Sequence, residues 1–400
     1  MLNFISDGQT LLLILALLYF AECLIWVKKQ SVAFVPNWGR GWRLATPISW
    51  LGNANGAMLI LNPLPPPGRV FLSHLLPISI SPSGVCAFNS QTLASGSRST
   101  TQTGEFVPFS AITKVATDGS YLLINKQKFA KCATPKQAKA LAGIVERTAG
   151  AKVSKREALV KSWLAEQFDV AEATRLRSES EKEIDSVRFA CSLFLVFLFV
   201  GAPLLVSFFG LEQMILPIAG AMVMFAVWIA IKFFWAHRRF YPAESLERLE
   251  NLLKMVLCPP VSLRAADVLT KNLLARFSPV AVAGVLEGPG EQQFVRAFVL
   301  DLQHPLKHEI ADAKAIETID WMNAQQLQLC LSLIEHVDRF NGVLGPPERE
   351  GGSVSYCPRC GVQFVVDEGE CPDCPGVELV AFSDHEFNAA RSASRGNSAH

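Results

Sequence analysis

Apolar residues form three long runs in this chain of 400 residues, and each run approaches the length that crosses a bilayer. The runs cover residues 11–27, 189–209 and 214–231. Neither residues 1–27 nor residues 189–231 contain Lys or Arg. Because about 20 apolar residues in a helix cross a hydrocarbon layer of about 30 Å, the pattern predicts three transmembrane helices.

The first run is the shortest, and a buried helix of a soluble core or a cleaved signal peptide could also account for it. A signal peptide has a basic N-terminal region and a cleavage site with small residues. Here Asp7 precedes the run without any Lys or Arg, and the sequence Trp-Val-Lys-Lys closes it. Residues 1–29 are therefore interpreted as an uncleaved transmembrane anchor.

Basic residues lie on one side of the predicted spans. Lys28 and Lys29 follow the first run, Arg188 precedes the second, and Arg239 follows the third, whereas the turn at residues 210–213 has no positive charge. Positively charged flanks stay in the cytoplasm. The pattern thus predicts a multi-pass protein of the cell inner (cytoplasmic) membrane, with the N-terminus outside and the C-terminus cytoplasmic.

Between the first two runs, short alternating patterns predict a β-rich domain at residues 70–150. A segment rich in Trp, Gly and Pro precedes it at residues 30–69, and could either lie among lipid headgroups or pack on its own domain. Asp118 and Gly119 are typical of a hairpin turn. The predicted strands cover residues 70–76, 84–88, 105–109, 112–117 and 121–124.

A helix is predicted to close this domain. Thr134 provides the N-cap, Pro135 suits the first turn, Gln137 completes a capping box, and Gly150 ends the helix. Strands followed by one helix, together with the sequence FVPFSAITKVATDGSYLLIN, resemble the pleckstrin-homology-like domains of some bacterial membrane proteins. The resemblance covers residues 77–149 and implies a platform that binds lipid or protein.

The second and third apolar runs are predicted to form a transmembrane hairpin at residues 189–235. The polar segments on both sides of this hairpin are predicted to be helical. A capping-box pattern starts a charged helix within residues 154–188, which could be a dimerising or signalling stalk or a solvated helix packed locally. Helical periodicity extends over residues 240–344 and predicts a helical domain. Its clearest apolar stripe comprises Leu327, Cys330, Leu331, Ile334 and Val337.

Charge is distributed unevenly along the chain, although the formal net charge is only +1. Residues 28–188 contain 21 Lys and Arg against 11 Asp and Glu, whereas residues 348–400 contain 4 against 9. Anionic headgroups would attract the basic segment, although an ordinary solvated surface would have the same composition. The acidic C-terminal segment disfavours nucleic acid as a partner.

One catalytic pattern occurs in the helical segment. His308 begins the sequence His-Glu-Ile-Ala-Asp, which resembles the HExxH signature of zinc peptidases with Asp312 in place of the second histidine. Pro305 separates His304 from His308, so one helix face presenting both imidazoles is disfavoured. A membrane-bound enzyme, such as a metal-dependent hydrolase using residues 300–340, is therefore the alternative to a non-catalytic function.

Two CxxC motifs form the most specific pattern in the chain. Cys357 and Cys360 belong to the first, Cys371 and Cys374 to the second, and ten residues lie between them. Such a spacing brings four thiolates to one tetrahedral ion. The motifs resemble the short zinc ribbons with paired CPxC knuckles, which implies a structural Zn²⁺ held by these four cysteines at residues 356–380.

The sequence departs from that family at Pro375, which replaces the usual glycine after the last cysteine and weakens the second knuckle. A redox CxxC would need one pair in a thioredoxin-like setting rather than two pairs. The other six of the ten cysteines show no pairing pattern, which suits a reducing compartment. Residues 345–355 are predicted to be a linker and residues 381–400 a disordered tail.

Together these patterns predict an α+β membrane protein. It has three transmembrane helices, a small cytoplasmic β-rich domain closed by a helix, a cytoplasmic helical domain and a C-terminal zinc ribbon. The favoured function is a multi-pass membrane scaffold or regulatory protein whose modules contact membrane lipid and a protein partner. No small-molecule substrate is indicated.

Overall fold

A computed structural model describes residues 7–26, 31–34, 46–47, 71–87, 105–274, 276–286, 289–303, 312–340, 342–358, 361–374 and 376–382. Helices dominate these residues, and short antiparallel strands form small sheets beside them. The helices are α1 (Asp7–Trp26), α2 (Pro135–Gly150), α3 (Val153–Gln167), α4 (Val170–Val196), α5 (Ala202–Phe209), α6 (Leu211–Phe240), α7 (Ser245–Leu257), α8 (Ala265–Leu274), α9 (Pro279–Val285), α10 (Pro289–Gln303) and α11 (Ala313–His336). The strands are β1 (Ser31–Phe34), β2 (Thr46–Pro47), β3 (Phe71–His74), β4 (Ile78–Ile80), β5 (Gly84–Ala87), β6 (Glu105–Pro108), β7 (Val115–Asp118), β8 (Tyr121–Ile124), β9 (Gln127–Lys131), β10 (Ser355–Tyr356), β11 (Gln363–Phe364) and β12 (Val380–Ala381).

Two helices are long and apolar enough to cross a membrane, and they form a hairpin. The first, Val170–Phe209, joins α4 to α5 through a π-helical turn at Phe197–Gly201, and the second is α6. Gly210 reverses the chain with a φ of 79°, a conformation that glycine adopts without strain. At about 1.5 Å per residue, both helices are longer than a hydrocarbon layer is thick.

The helix α1 packs antiparallel against α5. A methyl group added at Gly8 would lie 2.6 Å from the carbonyl oxygen of Pro203, so the two backbones approach closely there. Leu11 contacts the cluster that contains Val206, and Leu15 contacts the cluster that contains Leu198. The first residues of α1 therefore lie at the same end of the bundle as the Gly210 turn.

Six strands and α2 build a β-rich body. The strands form two antiparallel sheets of three, in the orders β4-β5-β6 and β7-β8-β9. Ile80, Leu122, Leu141 and Val145 are among the fully buried residues of their shared core. The predicted start of α2 is confirmed, since the Thr134 hydroxyl accepts a hydrogen bond from the Gln137 amide at 3.1 Å.

Several strand predictions need correction. The strand expected at residues 70–76 is only β3, and it pairs with β1 rather than with the body. The strand expected at residues 112–117 begins at Val115, because a 3-10 turn occupies Phe109–Ala111. The strands β4 and β9 were not predicted: β4 has three residues, and β9 is largely polar on its exposed face.

The single charged helix predicted for residues 154–188 is wrong. The helix α3 ends at Gln167, and α4 restarts after Asp169, whose carboxylate accepts a hydrogen bond from the Glu172 amide at 2.8 Å. Phe168 lies between them and is buried in the core of the helical segment. Packing of this ring turns the chain, so residues 154–188 do not form one continuous helix.

The helices α7 to α11 match the predicted helical periodicity, but they share their core with other parts of the chain. Met322 of α11 is buried in the β-rich body, where its sulfur accepts a hydrogen bond from the Ile80 amide at 3.1 Å. Ala173 of α4 packs with Val282 of α9. The predicted stripe on α11 is confirmed by Cys330, which is fully buried in that core.

The middle part of α4 and the C-terminal half of α6 are packed against α7 and α8. Phe194 and Phe233 share a buried cluster with Leu269 of α8. Arg264 and Asp267 form a buried ion pair at 3.2 Å within the same region. The hairpin and the helical segment are thus one packed unit.

Candidate metal centre

The C-terminal segment folds as a small sheet in the order β11-β10-β12 and carries two cysteine turns. Part of the predicted linker belongs to this fold. The Gln363 side chain accepts a hydrogen bond from the Glu350 amide at 2.9 Å and donates one to the Glu348 carbonyl at 2.7 Å. The folded segment therefore starts near Glu348, before the predicted start at Tyr356.

Three of the four predicted ligands come together. Cys357, Cys371 and Cys374 are buried, and their sulfur atoms all lie within 4.8 Å of one another. With Zn–S bonds of about 2.3 Å, a tetrahedral site has sulfur atoms about 3.8 Å apart, so a small contraction closes the cluster on an ion. Cys360 lies outside the described residues. This thiol cluster fits a metal ion.

Each of the two cysteine turns is closed by a backbone hydrogen bond, and the second turn is one residue longer than the first. The Cys357 amide donates to the Val362 carbonyl at 2.9 Å, and the Cys371 amide donates to the Val377 carbonyl at 2.9 Å. Gly376 has a φ of 79°. Pro375 lies outside the described residues. The left-handed residue of this turn is Gly376, one position after Pro375.

The C-terminal segment exposes several valines, and exposed acidic residues are interspersed with them in the sequence. Val365 is 79% exposed, and three further valines are also exposed. These valines are Val362, Val366 and Val380. The exposed acidic residues around them in the sequence are Asp367, Glu368, Glu370, Asp373 and Glu378. Such a surface suits contact with an apolar surface that has a basic rim.

Three other cysteines are poor nucleophiles. Burial, with smaller contributions from the nearby charges of Asp312 and Glu105, raises the pKa of Cys86 to about 11. Burial raises the pKa of Cys132 to about 12 and also raises the pKa of Cys330. These thiols are therefore protonated near neutral pH. Nucleophilic attack requires the thiolate.

Of the peptidase-like pattern, only Asp312 belongs to the described residues. His304, His308 and Glu309 lie outside the described residues. Asp312, which replaces the second histidine of the pattern, caps α11: its carboxylate accepts a hydrogen bond from the Lys314 amide at 2.9 Å. This carboxylate has a structural task at the start of a helix.

A second cluster of ligand-type side chains was not predicted. His237 near the end of α6, Glu244 just before α7 and Glu247 in the first turn of α7 place their ligand atoms within 4.8 Å of one another. The break at Pro242 separates these residues into two helices, which hides their proximity in the sequence. The spacing of three between the glutamates was the available signal, because it puts both on one side of a turn.

Glu244 is a carboxylate at neutral pH. Burial raises the pKa of Glu244, but hydrogen bonds involving Lys136 and Glu247 outweigh burial, so this pKa lies below its ordinary value. The Lys136 ammonium donates a hydrogen bond to Glu244 Oε1 at 2.7 Å and lies 4.7 Å from the centre of the Tyr241 ring. The cluster thereby joins α2 of the β-rich body to the α6–α7 corner.

No family model matches this chain, and comparisons with the curated proteins and with the solved structures also found no match.

Proposed function

We propose that the chain is a multi-pass scaffold or regulatory protein of the cell inner membrane. Three helices anchor it, its cytoplasmic body lies against the inner leaflet, and a zinc-loaded ribbon docks a protein partner. The observation that carries the proposal is the apolar belt around the helical hairpin. The exposed surface of the ribbon supports a protein partner, and the thiol cluster supports zinc.

The belt consists of large apolar side chains that point away from the bundle. Soluble proteins rarely expose a continuous apolar patch of more than a few hundred Å², so hydrocarbon is the natural cover. The exposed residues include Phe189, Val196, Val200, Leu204, Phe208, Leu216, Met224, Val227 and Ile231.

Polar contacts mark one end of the belt. The Lys232 ammonium donates a hydrogen bond to the Ser186 hydroxyl at 2.8 Å, and Arg239 pairs with Glu183. These contacts join α6 to α4 where the apolar belt ends, which supports a hydrocarbon boundary close to Lys232. The Gly210 turn would then lie at the opposite face of the membrane.

The packing of α1 supports a third span and the proposed orientation. Leu13, Leu17 and Leu18 are exposed and extend the belt. Gly8 lies beside Ser207, close to the Gly210 turn. The basic flanks favour an external position for that turn, and the packing of Gly8 beside it then supports an N-terminus on the outside.

The helix α7 is suited to the inner headgroup region. It begins five residues after the end of α6 and carries an exposed apolar stripe, in which Leu246 is 79% and Leu257 is 81% exposed. The other members of the stripe are Leu249, Leu253 and Val256. Amphipathic helices of this kind lie in the membrane surface with the apolar face toward the acyl chains.

Basic residues on the β8–β9 hairpin support lipid contact by the β-rich body. Lys128 and Lys131 lie over the Tyr121 ring, with their nitrogen atoms 4.5 Å and 5.7 Å from its centre. Lys126 at the tip of the same hairpin is also exposed. Each such cation near an anionic surface contributes about 1 kcal/mol, which agrees with the lipid platform implied by the resemblance.

The docking function of the ribbon can be tested by photo-crosslinking in intact membranes. A photoreactive amino acid at Val365 of the full-length chain should give a discrete adduct with a second polypeptide. The same amino acid at the exposed Glu317 of α11 serves as the matched control. The adduct should disappear when Cys371 and Cys374 are both replaced by Ser.

Three results would contradict the proposal. The first is the absence of an adduct at Val365 in membranes where the protein is intact. The second is an equal adduct from Glu317. The third is an adduct that persists without Cys371 and Cys374, because it would not depend on the folded ribbon.

A further inference from the structure

We infer that His237, Glu244 and Glu247 form a second metal site, separate from the ribbon, that takes a divalent transition-metal ion such as Zn²⁺. Their ligand atoms lie within 4.8 Å of one another at the corner between α6 and α7. One imidazole and two carboxylates are hard-to-borderline ligands that suit Zn²⁺. Mg²⁺ is a poorer match, since it prefers oxygen ligands and retains its water.

Unpaired polar atoms mark this corner. His237 is 0% exposed, and neither of its ring nitrogens has a hydrogen-bond partner in the described part of the chain. Glu244 Oε2 is likewise buried without a partner among these residues. Buried polar atoms are normally paired, because an unpaired one costs about 1–3 kcal/mol. A metal ion would satisfy a histidine nitrogen and the glutamate oxygen together.

Aromatic rings hold the histidine at this position. The His237 ring lies 5.3 Å from the Phe233 ring and 5.0 Å from the Tyr241 ring, measured between centres. Tyr241 is itself fixed, since its hydroxyl donates a hydrogen bond to the Leu269 carbonyl at 3.1 Å. The imidazole is therefore positioned by packing before any ion binds, which lowers the ordering cost of binding.

Two cationic side chains, Lys136 and Arg248, lie at this corner and oppose metal binding. Lys136 occupies Glu244 Oε1 at 2.7 Å and leaves Oε2 open. Arg248 donates a hydrogen bond to the Tyr241 carbonyl at 3.4 Å and lies over the Phe234 ring. Both positive charges repel a metal ion. Lys136 acts as its direct competitor, because it uses the same carboxylate.

The test uses the full-length chain in detergent, with the ribbon disabled by Cys357→Ser, Cys371→Ser and Cys374→Ser. After equilibrium dialysis against Zn²⁺, metal analysis should find one ion per chain. Glu247→Gln should weaken Zn²⁺ binding at least tenfold, and His237→Ala should do the same. His336→Ala is the matched control, since this exposed histidine on α11 lies away from the cluster and bonds to the Ser332 carbonyl of its own helix at 2.6 Å.

Lys136→Gln gives a result that separates a metal site from a simple ion pair. Without the competing ammonium, Zn²⁺ should bind several-fold more tightly. Co²⁺ in place of Zn²⁺ should give weak visible absorption without the intense near-ultraviolet band of a thiolate ligand. Circular dichroism confirms that each variant is folded, and Glu247→Gln serves if His237→Ala unfolds the corner, because it keeps the shape of the side chain.

The inference is overturned by any of three results. The first is a zinc content near zero in the folded, ribbon-disabled chain. The second is Zn²⁺ binding that Glu247→Gln leaves unchanged, and the third is Zn²⁺ binding that Lys136→Gln weakens.

Discussion

The ribbon should fold only when it holds a metal ion. Its apolar core is small: Val377 is buried, and Phe364 and Leu379 are half-buried against the cysteines. Complete burial of one such side chain contributes about 1.5–3 kcal/mol, so the three together supply roughly 3–6 kcal/mol. Structural zinc contributes about 10–16 kcal/mol in other small zinc modules. Metal binding is therefore the larger contribution to folding.

The assay uses residues 346–400 expressed alone under reducing conditions, a segment that includes the hydrogen bonds of Glu348 and excludes His237. Metal analysis should find one Zn²⁺ per fragment, and amide dispersion in the NMR spectrum should collapse on chelation. Acid should have the same effect, because protons compete with the metal for the thiolates. Cys371→Ser should abolish the folded spectrum.

Asp373→Asn is the matched control for Cys371→Ser. Asp373 is exposed within the same cysteine turn and contributes no sulfur ligand, so its replacement should leave zinc content and spectrum unchanged. The reasoning fails if the chelated fragment keeps its dispersion, or if zinc stays bound after both Cys371 and Cys374 are replaced.

Three further predictions concern the membrane bundle and the remaining thiols. Topology reporters fused after Lys29 and after Arg239 should both report cytoplasm, and a periplasmic signal at either would reverse the orientation. Gly8→Leu should separate α1 from α5, because a side chain there meets the Pro203 carbonyl. A disulfide cross-link engineered between these two helices should then no longer form, and an unchanged cross-link would contradict the prediction. At pH 8 a maleimide should label the exposed Cys258 well before the buried Cys132, whose pKa of about 12 leaves little thiolate; equal rates in the native protein would contradict the described burial.

Local signals in the sequence predicted the elements that depend on local contacts. Thr134 and Gln137 identified the start of α2, and the Asp118-Gly119 pair identified the turn between β7 and β8. The apolar runs identified the helical hairpin, because continuous hydrophobicity without charge has few other structural meanings.

Tertiary packing decided the features that were missed. The turn at Phe168 depends on a core cluster that includes residues about 110 positions later, such as Val282, and Asp169 as the N-cap of α4 was the local signal for it. Met322 lies in the core of the β-rich body although its own helix has an ordinary amphipathic pattern. The cluster of His237 with Glu244 depends on the corner between α6 and α7, where the Tyr241 hydroxyl bonds to the Leu269 carbonyl of α8.

The same distinction between local signals and tertiary packing applies to the candidate metal centres. Paired CxxC motifs carry their ligands in two short turns, so spacing alone predicted the cysteines that the structure brings together. The one-residue extension of the second turn at Gly376 could not be read from spacing, because it depends on the conformation that follows Pro375.

The π-helical turn at Phe197–Gly201 divides the first long helix between two partners. Its closing hydrogen bond runs from the Ala202 amide to the Phe197 carbonyl, five residues back, so one extra residue is accommodated in the turn. In a regular α-helix one extra residue would rotate everything beyond it by about 100° around the axis, and the wider π-helical turn absorbs that rotation. Below the turn, α4 faces α6 and α8; above it, α5 faces α1. Deleting one residue from this turn would therefore restore a regular α-helix with both halves still facing their partners, whereas the same deletion within α5 would turn its remaining residues away from α1.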